Sequence, residues 1–262
     1  MTTKLVPATG RWVDFGSTGH TLAWYQSIKA QGVTGGCLDV MTGGWEQDYA
    51  FALEAGLQVQ FFQGYLTLDW TGGAAEGTAR AQQALDAIHA VNAPVGSLCW
   101  LDSEAWPDTV TATEAAAWIH AWAAAVTAGH LSPGGYEGAN CPLSGEDWWN
   151  ITTLARYWKS ASAVPVIPTR GYQMTQTAVN QDLDGVTVDY DTVQHDLLGS
   201  APWGVVQVPS TTVVSVPPTV ATAADVQALS ALVRGGFGSL EEDVAAVKAA
   251  LPKTWSGIVT LG

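Results

Sequence analysis

Two acidic residues follow an apolar segment in Leu98–Glu104, which reads LCWLDSE. If this segment is a β-strand, alternate side chains share a face, so Asp102 and Glu104 point the same way, about 6.5–7 Å apart along the chain. Paired carboxyl groups at such a separation suit the hydrolysis of a glycosidic bond. One donates a proton to the leaving oxygen, and the other stays ionised and stabilises positive charge. The alternative is a structural one, in which either acid caps a following helix.

Three further aspartates end other apolar segments. Asp14 follows Trp12-Val13, Asp189 follows a Val-Thr-Val segment, and Asp39 is a weaker case after Cys37-Leu38. The first and eighth strands of a closed barrel are neighbours, so the carboxyl groups of Asp14 and Asp189 would meet at one mouth. The sequence therefore predicts one site, whose catalytic residues are Asp14, Asp102, Glu104 and Asp189.

Short β-like segments alternate with helix-like segments through the first 190 residues, which predicts parallel strands joined by helical crossovers. The predicted strands are 11–15, 33–41, 57–66, 95–103, 134–137, 155–159, 164–174 and 185–189, and the predicted helices are 22–31, 47–55, 74–91 and 113–128. Eight strands are the number that a closed (β/α)8 barrel of the TIM type requires. An open doubly wound sheet has the same alternation, but no glycine-rich phosphate-binding motif follows the first strand.

The composition excludes several classes of partner and site. The chain has 24 acidic and 10 basic residues, so nucleic acid is not expected to bind, because phosphate recognition needs clustered Lys and Arg. No segment approaches the roughly 20 apolar residues of a membrane span. Nucleotide-binding and zinc-protease motifs are absent, and the histidines do not have the spacing of metal ligands. The sequence therefore predicts no cofactor and no metal site. Residues 180–191 have the oxygen-ligand spacing of a calcium loop, but a polar turn is favoured over it.

Cysteine and tryptophan add two expectations. Cys37, Cys99 and Cys141 are an odd, scattered set, which favours buried free thiols over a disulfide framework. About half of the 13 tryptophans are expected in the core. The others lie in turn-like positions and are expected to stack on sugar rings around a cleft: Trp45, Trp70, Trp106, Trp148 and Trp149.

The amino-acid composition changes after residue 208. Residues 1–208 are predicted to form the barrel, 209–221 an extended Pro/Thr/Val-rich linker, and 222–262 a helical tail with two short helices. Thr222 with Asp225, and Ser239 with Glu242, have the spacing of capping boxes. One narrow apolar stripe on each helix suits an αα-hairpin or an association surface over 222–251, and packing of the tail back onto the barrel is an equal alternative.

The ordered motifs WVDFGSTG, CWLDSEAW, GGYEG, RYWKSA, GYQMTQ and VDYD resemble one known group of proteins. This group is the glycoside-hydrolase-like domains of unknown function from actinobacteria and their phages, which are similar to Chalaropsis-type (family 25) lysozymes. The resemblance runs from about residue 11 to 208. The chain departs from the lysozyme pattern at VTGGCLDVM and at Asp191, where Asn is common.

The resemblance implies roles for the acidic residues. Glu104 would donate the proton, Asp102 and Asp189 would orient or stabilise the N-acetyl group and the oxocarbenium-like centre, and Asp14 would hold the network together. Seven further residues are expected to contact the glycan: Asp39, Gln63, Tyr65, Trp106, Tyr136, Trp158 and Gln173.

Two functions are compatible with the sequence. The first is a glycoside hydrolase that acts on bacterial cell-wall polysaccharide, such as a phage lysin or a wall-remodelling enzyme. The alternative is an inactive carbohydrate-binding or virion-structural barrel, tethered or self-associated through 222–251. The beginning of the chain, MTTKLVPATGRW, lacks the apolar core of a secretory signal. We therefore expect a cytoplasmic location until release, or a virion-associated one if a phage encodes the protein.

Overall fold

A computed structural model describes residues 2–64, 73–208, 213–215 and 258–260. Contacts divide the chain into two units, Met1–Val208 and Pro209–Gly262. The first unit contains ten strands: β1 (Thr3–Pro7), β2 (Arg11–Phe15), β3 (Val33–Asp39), β4 (Gln58–Gln63), β5 (Leu98–Asp102), β6 (Ser132–Glu137), β7 (Tyr157–Lys159), β8 (Met174–Leu183), β9 (Val186–Val193) and β10 (Trp203–Gln207).

Strands β2 to β9 close into an eight-stranded barrel, as the sequence predicts. Neighbouring strands from β2 to β8 pair in parallel, and β9 pairs antiparallel with both β8 and β2. The expectation of eight parallel strands is therefore wrong for the last one. Strands β8 and β9 are joined by Asp184 and Gly185, whose φ angles of 53° and 82° are those of a tight hairpin turn. A parallel connection needs a crossover of a dozen or more residues, and two residues cannot provide it.

The seventh predicted strand is also displaced along the chain. It was expected at 164–174, but β8 begins only at Met174, and the preceding segment forms turns and irregular structure. Pro165 and Pro168 lie in that segment, and a proline has no N–H group to donate to a sheet. Strand β8 then runs on to Leu183, so its second half extends the hairpin beyond the pairing with β7.

Helices follow the strands on the outside of the barrel. They are α1 (Leu22–Ala30), α2 (Trp45–Glu54), α3 (Ala74–Ala90), α4 (Ala112–Ala128) and α5 (Gly145–Asn150). The first four lie within two residues of the predicted bounds, and α5 is an unpredicted short helix that begins at a capping box of Ser144 and Asp147. Strand β1 pairs with β10, and β10 pairs with β4 at Val205 and Val59.

The apolar core has two layers, because strand side chains alternate between the barrel interior and the helices. The inner layer contains Ala8, Trp12, Cys37, Phe62, Leu98, Trp100, Tyr136, Trp158 and Met174. Two strand glycines make room for the inner tryptophans. A Cβ atom on Gly35 would lie 2.4 Å from the Trp12 ring, and one on Gly134 would lie 2.3 Å from the Trp100 ring. The outer layer joins the strands to the helices and contains the largest cluster of buried side chains.

The tryptophans expected around a cleft are mostly buried instead. Trp45, Trp106 and Trp148 belong to the outer core, with exposed fractions of 3%, 4% and 0%, so that expectation is wrong for these three. Their rings fill the space between strands and helices, where aromatic burial is most favourable. Trp149 is half-buried against the same core, and Trp70 lies outside the described residues. Cys37, Cys99 and Cys141 are free thiols.

The described part of the second unit is a short ribbon. Strand β11 (Val213–Ser215), within the predicted linker, pairs antiparallel with β12 (Ile258–Thr260). The two helices predicted within 222–251 lie outside the described residues. Among the helices that the structure describes, none is both long and apolar enough to cross a lipid bilayer.

Candidate active site

A pocket of about 80 Å³ opens at the barrel mouth. Its wall consists of four acidic residues, three aromatic residues and one amide: Asp14, Asp102, Glu104, Asp189, Phe62, Tyr136, Trp158 and Gln176. The structure thus brings together the four acids that the sequence singles out, and none of the eight lining residues is basic. Such an arrangement disfavours the ionised form of each carboxyl group.

Strand β5 positions Asp102 and Glu104 as the two-residue spacing predicts. Asp102 ends the strand on the same side as the inner-core residue Trp100, and Glu104 lies two residues beyond it, so both line the pocket. Burial raises the pKa of the Glu104 carboxyl, and the negative charge of Asp189 raises it further, while an amide hydrogen bond from Ala139 opposes both. A carboxyl group in these surroundings holds its proton to a higher pH than an ordinary glutamate.

Glu104 lies closely against the end of β6. A Cβ atom on Gly138 would lie 2.3 Å from the Cβ of Glu104 and 2.7 Å from its Oε2, so only glycine leaves room for this carboxyl group. Ala105, next along the chain, has a φ of 55°, which is uncommon for a residue other than glycine. Its N–H donates to the carbonyl oxygen of Ala139 at 3.0 Å, which joins the two loops.

Asp14 and Asp189 lie directly opposite each other across the antiparallel pair β2 and β9. Gln176 of β8 connects them, because its Nε2 donates to Asp14 Oδ2 at 3.2 Å and to Asp189 Oδ2 at 2.9 Å. The backbone N–H of Asn180 donates to the other Asp189 oxygen at 2.6 Å. Asn180 has a φ of 54° beside a register shift in β8, so the irregular strand directs this N–H towards the site.

Asp14 also forms a carboxyl–carboxyl pair with Asp191, which is fully buried. Burial, the charge of Asp14 and their mutual hydrogen bond raise the pKa of Asp191 well above its ordinary value. Burial raises the pKa of Asp14 to about 6, although its bonds to Asp191 and Gln176 oppose the rise. Two carboxyl groups can hydrogen-bond only when one is protonated, so Asp14 and Asp191 share a proton, and Trp158 Nε1 donates to Asp191 Oδ1 at 2.8 Å.

Two of the seven expected contact residues line the pocket. The Tyr136 hydroxyl donates to Gln176 Oε1 at 3.2 Å, and the Tyr136 and Trp158 rings meet edge to face with centroids 4.6 Å apart. Asp39 is not a lining residue. Its carboxylate accepts from the backbone N–H groups of Met41, in the loop after β3, and of Gly64, directly after β4. Tyr65 lies outside the described residues.

Three expected contact residues lie away from the pocket. Gln63 follows the inward-facing Phe62, so it points outward, where its Oε1 accepts from Trp122 Nε1 at 2.6 Å. Gln173 precedes the inward-facing Met174 and likewise faces outward, donating to Asp196. Trp106 is buried, and its Nε1 donates to the carbonyl oxygen of Ser103. Strand alternation accounts for both glutamines.

The interpretation from the sequence missed three site residues, namely Phe62, Gln176 and Asp191. The signal for Gln176 was the alternation itself, since Gln176 and Met174 share a face that Gln173 does not. Asp191 shares a face with Asp189 in the same way. The segment weighed as a calcium loop, 180–191, forms the β8–β9 hairpin, in which Asp182 Oδ1 accepts from the N–H of Gly185 and Asp184 Oδ2 accepts from Ser27.

The fold is similar to those of several solved structures. The Tat-secreted protein Rv2525c of Mycobacterium tuberculosis, in complex with L-tartrate, is 16% identical with a TM-score of 0.55, covering 71% of this chain and 96% of that one. An uncharacterised B. stearothermophilus protein is 17% identical with a TM-score of 0.55, covering 72% and 98%. The modular autolysin LytC of Streptococcus pneumoniae, with a synthetic peptidoglycan ligand, is 11% identical with a TM-score of 0.50, covering 70% and 46%.

No curated protein matches the chain. At these identities the solved structures establish the barrel fold and leave the chemistry to the site itself. Residues 15–196 match the family described as Rv2525c-like, glycoside hydrolase-like domain. This match spans more than half of the chain, contains Asp102, Glu104 and Asp189, and begins next to Asp14. The protein therefore belongs to the family of Rv2525c-like glycoside hydrolase-like domains.

Proposed function

We propose that the mouth pocket is the active site of a glycoside hydrolase that acts on bacterial cell-wall glycan, either peptidoglycan or a related polymer. The observation that carries this proposal is the convergence of Asp102, Glu104, Asp14 and Asp189 in one aromatic-walled pocket. Glycosidic hydrolysis needs a protonated carboxyl group beside an ionised one, and this pocket supplies carboxyl groups in different surroundings.

In this mechanism Glu104 is the general acid. Its raised pKa keeps a proton available for the leaving oxygen of the glycosidic bond. Asp102 and Asp189 are the ionised groups that stabilise the positive charge developing on the sugar ring or orient its acetamido group. Asp14 is held by Gln176 and Asp191, and it fixes the position of Asp189 across the strand pair.

The aromatic wall supports a sugar as the ligand. Phe62, Tyr136 and Trp158 border the carboxyl groups, and aromatic faces pack well against the apolar faces of sugar rings. The autolysin LytC, of similar fold, is known in complex with a synthetic peptidoglycan ligand. Rv2525c is Tat-secreted, which supports action on a wall substrate outside the cytoplasm.

The test is digestion of purified bacterial cell walls, with released fragments separated by chromatography. Glu104→Gln keeps the shape of the side chain but cannot donate the proton, so turnover should fall by about two to four orders of magnitude. Binding to insoluble wall should persist, because the aromatic contacts are unchanged. Glu114→Gln, in the capping box of α4 and outside the pocket, is the matched control and should retain full activity. Full activity of Glu104→Gln would remove Glu104 from the mechanism.

The small pocket favours a second candidate, an inactive carbohydrate-binding barrel. A volume of about 80 Å³ is well below the roughly 300–1,000 Å³ of typical ligand pockets, and it holds one substituent of a sugar more readily than a polymer segment. Under this alternative the wild-type protein binds wall glycan and releases no fragments, and Glu104→Gln changes only the affinity. Product release by the wild type decides against it.

A further inference from the structure

Gln176 occupies a central position among the acidic residues of the pocket. Its side chain is 6% exposed and makes four hydrogen bonds. Nε2 donates to Asp14 and to Asp189, while Oε1 accepts from the Tyr136 hydroxyl at 3.2 Å and from the N–H of Ala161 at 3.1 Å. The amide has two N–H donors and an oxygen that can accept two hydrogen bonds, so each of its four hydrogen-bonding positions has a partner.

This network fixes the orientation of the amide. The N–H of Ala161 can only donate, so the atom that it contacts must be the amide oxygen. Both hydrogens of the NH2 group are then directed at carboxylate oxygens. An N–H donor stabilises the ionised form of a carboxyl group, so Gln176 favours negative charge on Asp14 and on Asp189 at the same time.

Among the described residues, the ionisable groups that line the pocket with Gln176 or lie directly behind it are acidic. These groups come from four elements: Asp14 on β2, Asp189 and Asp191 on β9, Tyr136 on β6, and Asp102 and Glu104 at the end of β5. In such a cluster an N–H donor stabilises the ionised form of the carboxyl groups that it contacts. The remaining carboxyl groups are then the ones that hold protons. The hydrogen bonds of Gln176 reach Asp14 and Asp189 and, among the described contacts, do not reach Glu104.

We propose that Gln176 is a positioning residue that holds Asp14 and Asp189 ionised and correctly oriented, and thereby leaves Glu104 as the carboxyl group that carries the transferable proton. This inference rests on the proposed function. It adds a residue that determines which acidic residues are ionised and which one donates the proton. Gln176 lines the pocket and donates to the carboxylates of Asp14 and Asp189, so it acts through them.

The test is Gln176→Glu, which keeps the size and the acceptor oxygen but removes both N–H donors. The matched control is Gln173→Glu, three residues earlier. Gln173 is also buried. It donates to an aspartate, Asp196, and accepts from a backbone N–H, that of Tyr157, but it faces away from the pocket. The two variants make the same chemical change in similar surroundings, so a general loss of stability affects both.

The first measurement does not depend on activity. Carboxyl carbons of Asp14 and Asp189 are followed by ¹³C NMR across a pH titration and assigned with Asp14→Asn and Asp189→Asn. Both groups should titrate at higher pH in Gln176→Glu than in the wild type, and at unchanged pH in Gln173→Glu. Unchanged titration in Gln176→Glu would overturn the proposal, whether or not the protein cleaves glycan.

The second measurement is the pH dependence of wall digestion. Gln176→Glu should lower kcat by at least about tenfold with a smaller effect on KM, and the acidic limb of the profile should move to higher pH, since Asp189 must be ionised. Gln173→Glu should keep the wild-type profile. If Gln176→Glu does not fold, Gln176→Met removes the donors without adding charge. A wild-type pH profile in the folded variant would contradict the positioning role of Gln176. An inactive wild-type protein would contradict only the proposed function.

Discussion

Five carboxyl groups lie in or behind one small pocket, and the protein stabilises them by hydrogen bonds and by protonation. Asp189 accepts from Gln176 and from the N–H of Asn180, while Asp14 and Asp191 share a proton. Buried charge of one sign destabilises a fold, so such a cluster is expected where function requires it. At the residue scale, the clustering of these buried carboxyl groups therefore supports the proposal that the mouth is the active site.

The cluster predicts that Asp14→Asn stabilises the protein at neutral pH. Burial raises the pKa of Asp14 from its ordinary 3.8 to about 6, so between these values the folded protein holds a proton that the unfolded chain releases. Stability is therefore highest below pH 3.8 for this group and falls as the pH rises to about 6, by about 3 kcal/mol. Asparagine removes this loss.

Urea denaturation at pH 5 and pH 7.5 measures the effect. The free energy of unfolding of Asp14→Asn should exceed that of the wild type at pH 7.5 by about 1–3 kcal/mol and should depend less on pH. Asp86→Asn, on the exposed surface of α3, is the control and should change stability by less than about 0.5 kcal/mol. A destabilised Asp14→Asn at pH 7.5 would show that the hydrogen bonds of the carboxylate outweigh its burial.

At the scale of elements, the last part of the barrel departs from the repeating strand–helix plan. The β8–β9 hairpin packs on α1, where Trp24 Nε1 donates to the carbonyl oxygen of Leu183 at 3.0 Å and Ser27 donates to Asp184. Because β9 runs antiparallel, its first half lies at the mouth, and this direction places Asp189 opposite Asp14. The hairpin thus completes the barrel and supplies one wall of the site.

The close approach of β6 to Glu104 predicts the effect of Gly138→Ala. The new Cβ atom would lie 2.3 Å from the Cβ of Glu104, so the glutamate must move. Displacement of a reacting group by about 1 Å can reduce turnover by about 100-fold, and crowding should cost about 1–3 kcal/mol of stability. Wall digestion and thermal unfolding measure the two effects. Gly43→Ala, where a Cβ atom meets nothing within 4 Å, should change neither, and an active Gly138→Ala would show that the loop accommodates the methyl group.

At the scale of the whole molecule, the first unit contains a complete barrel with its own two-layered core. The eight barrel strands, the β1–β10 ribbon and all five described helices lie before residue 209. A closed sheet leaves no barrel edge unpaired, which favours independent folding. The described residues that line the pocket also belong to this unit.

A chain that ends at Val208 should therefore fold on its own. We expect a single cooperative unfolding transition, near-native circular dichroism, and the wall-digesting activity of the full chain. A chain that ends at Pro202 is the matched control. It lacks β10, which pairs with β1 and β4, so it should be markedly less stable. Aggregation of the 208-residue chain would show that the second unit contributes to the fold of the first.

The sequence alone predicted the features that depend on local spacing. Alternation of strands and helices predicted the barrel, and the two-residue spacing of Asp102 and Glu104 predicted their shared face. The position of Asp14 after an apolar strand predicted its location at the mouth. These inferences held because side-chain direction repeats every two residues in a strand, so it can be determined without knowledge of distant partners.

The tertiary structure decided what depends on contacts between distant segments. The direction of β9, the bridging of Asp14 and Asp189 by Gln176, the carboxyl pair of Asp14 and Asp191, and the glycine beside Glu104 were not evident from spacing. Pairing register and burial arise from contacts between residues of different elements, such as Asp14 and Gln176, and a pKa follows from the burial that results. The sequence by itself therefore indicated which acids could react, and only the folded barrel determined which of them hold protons.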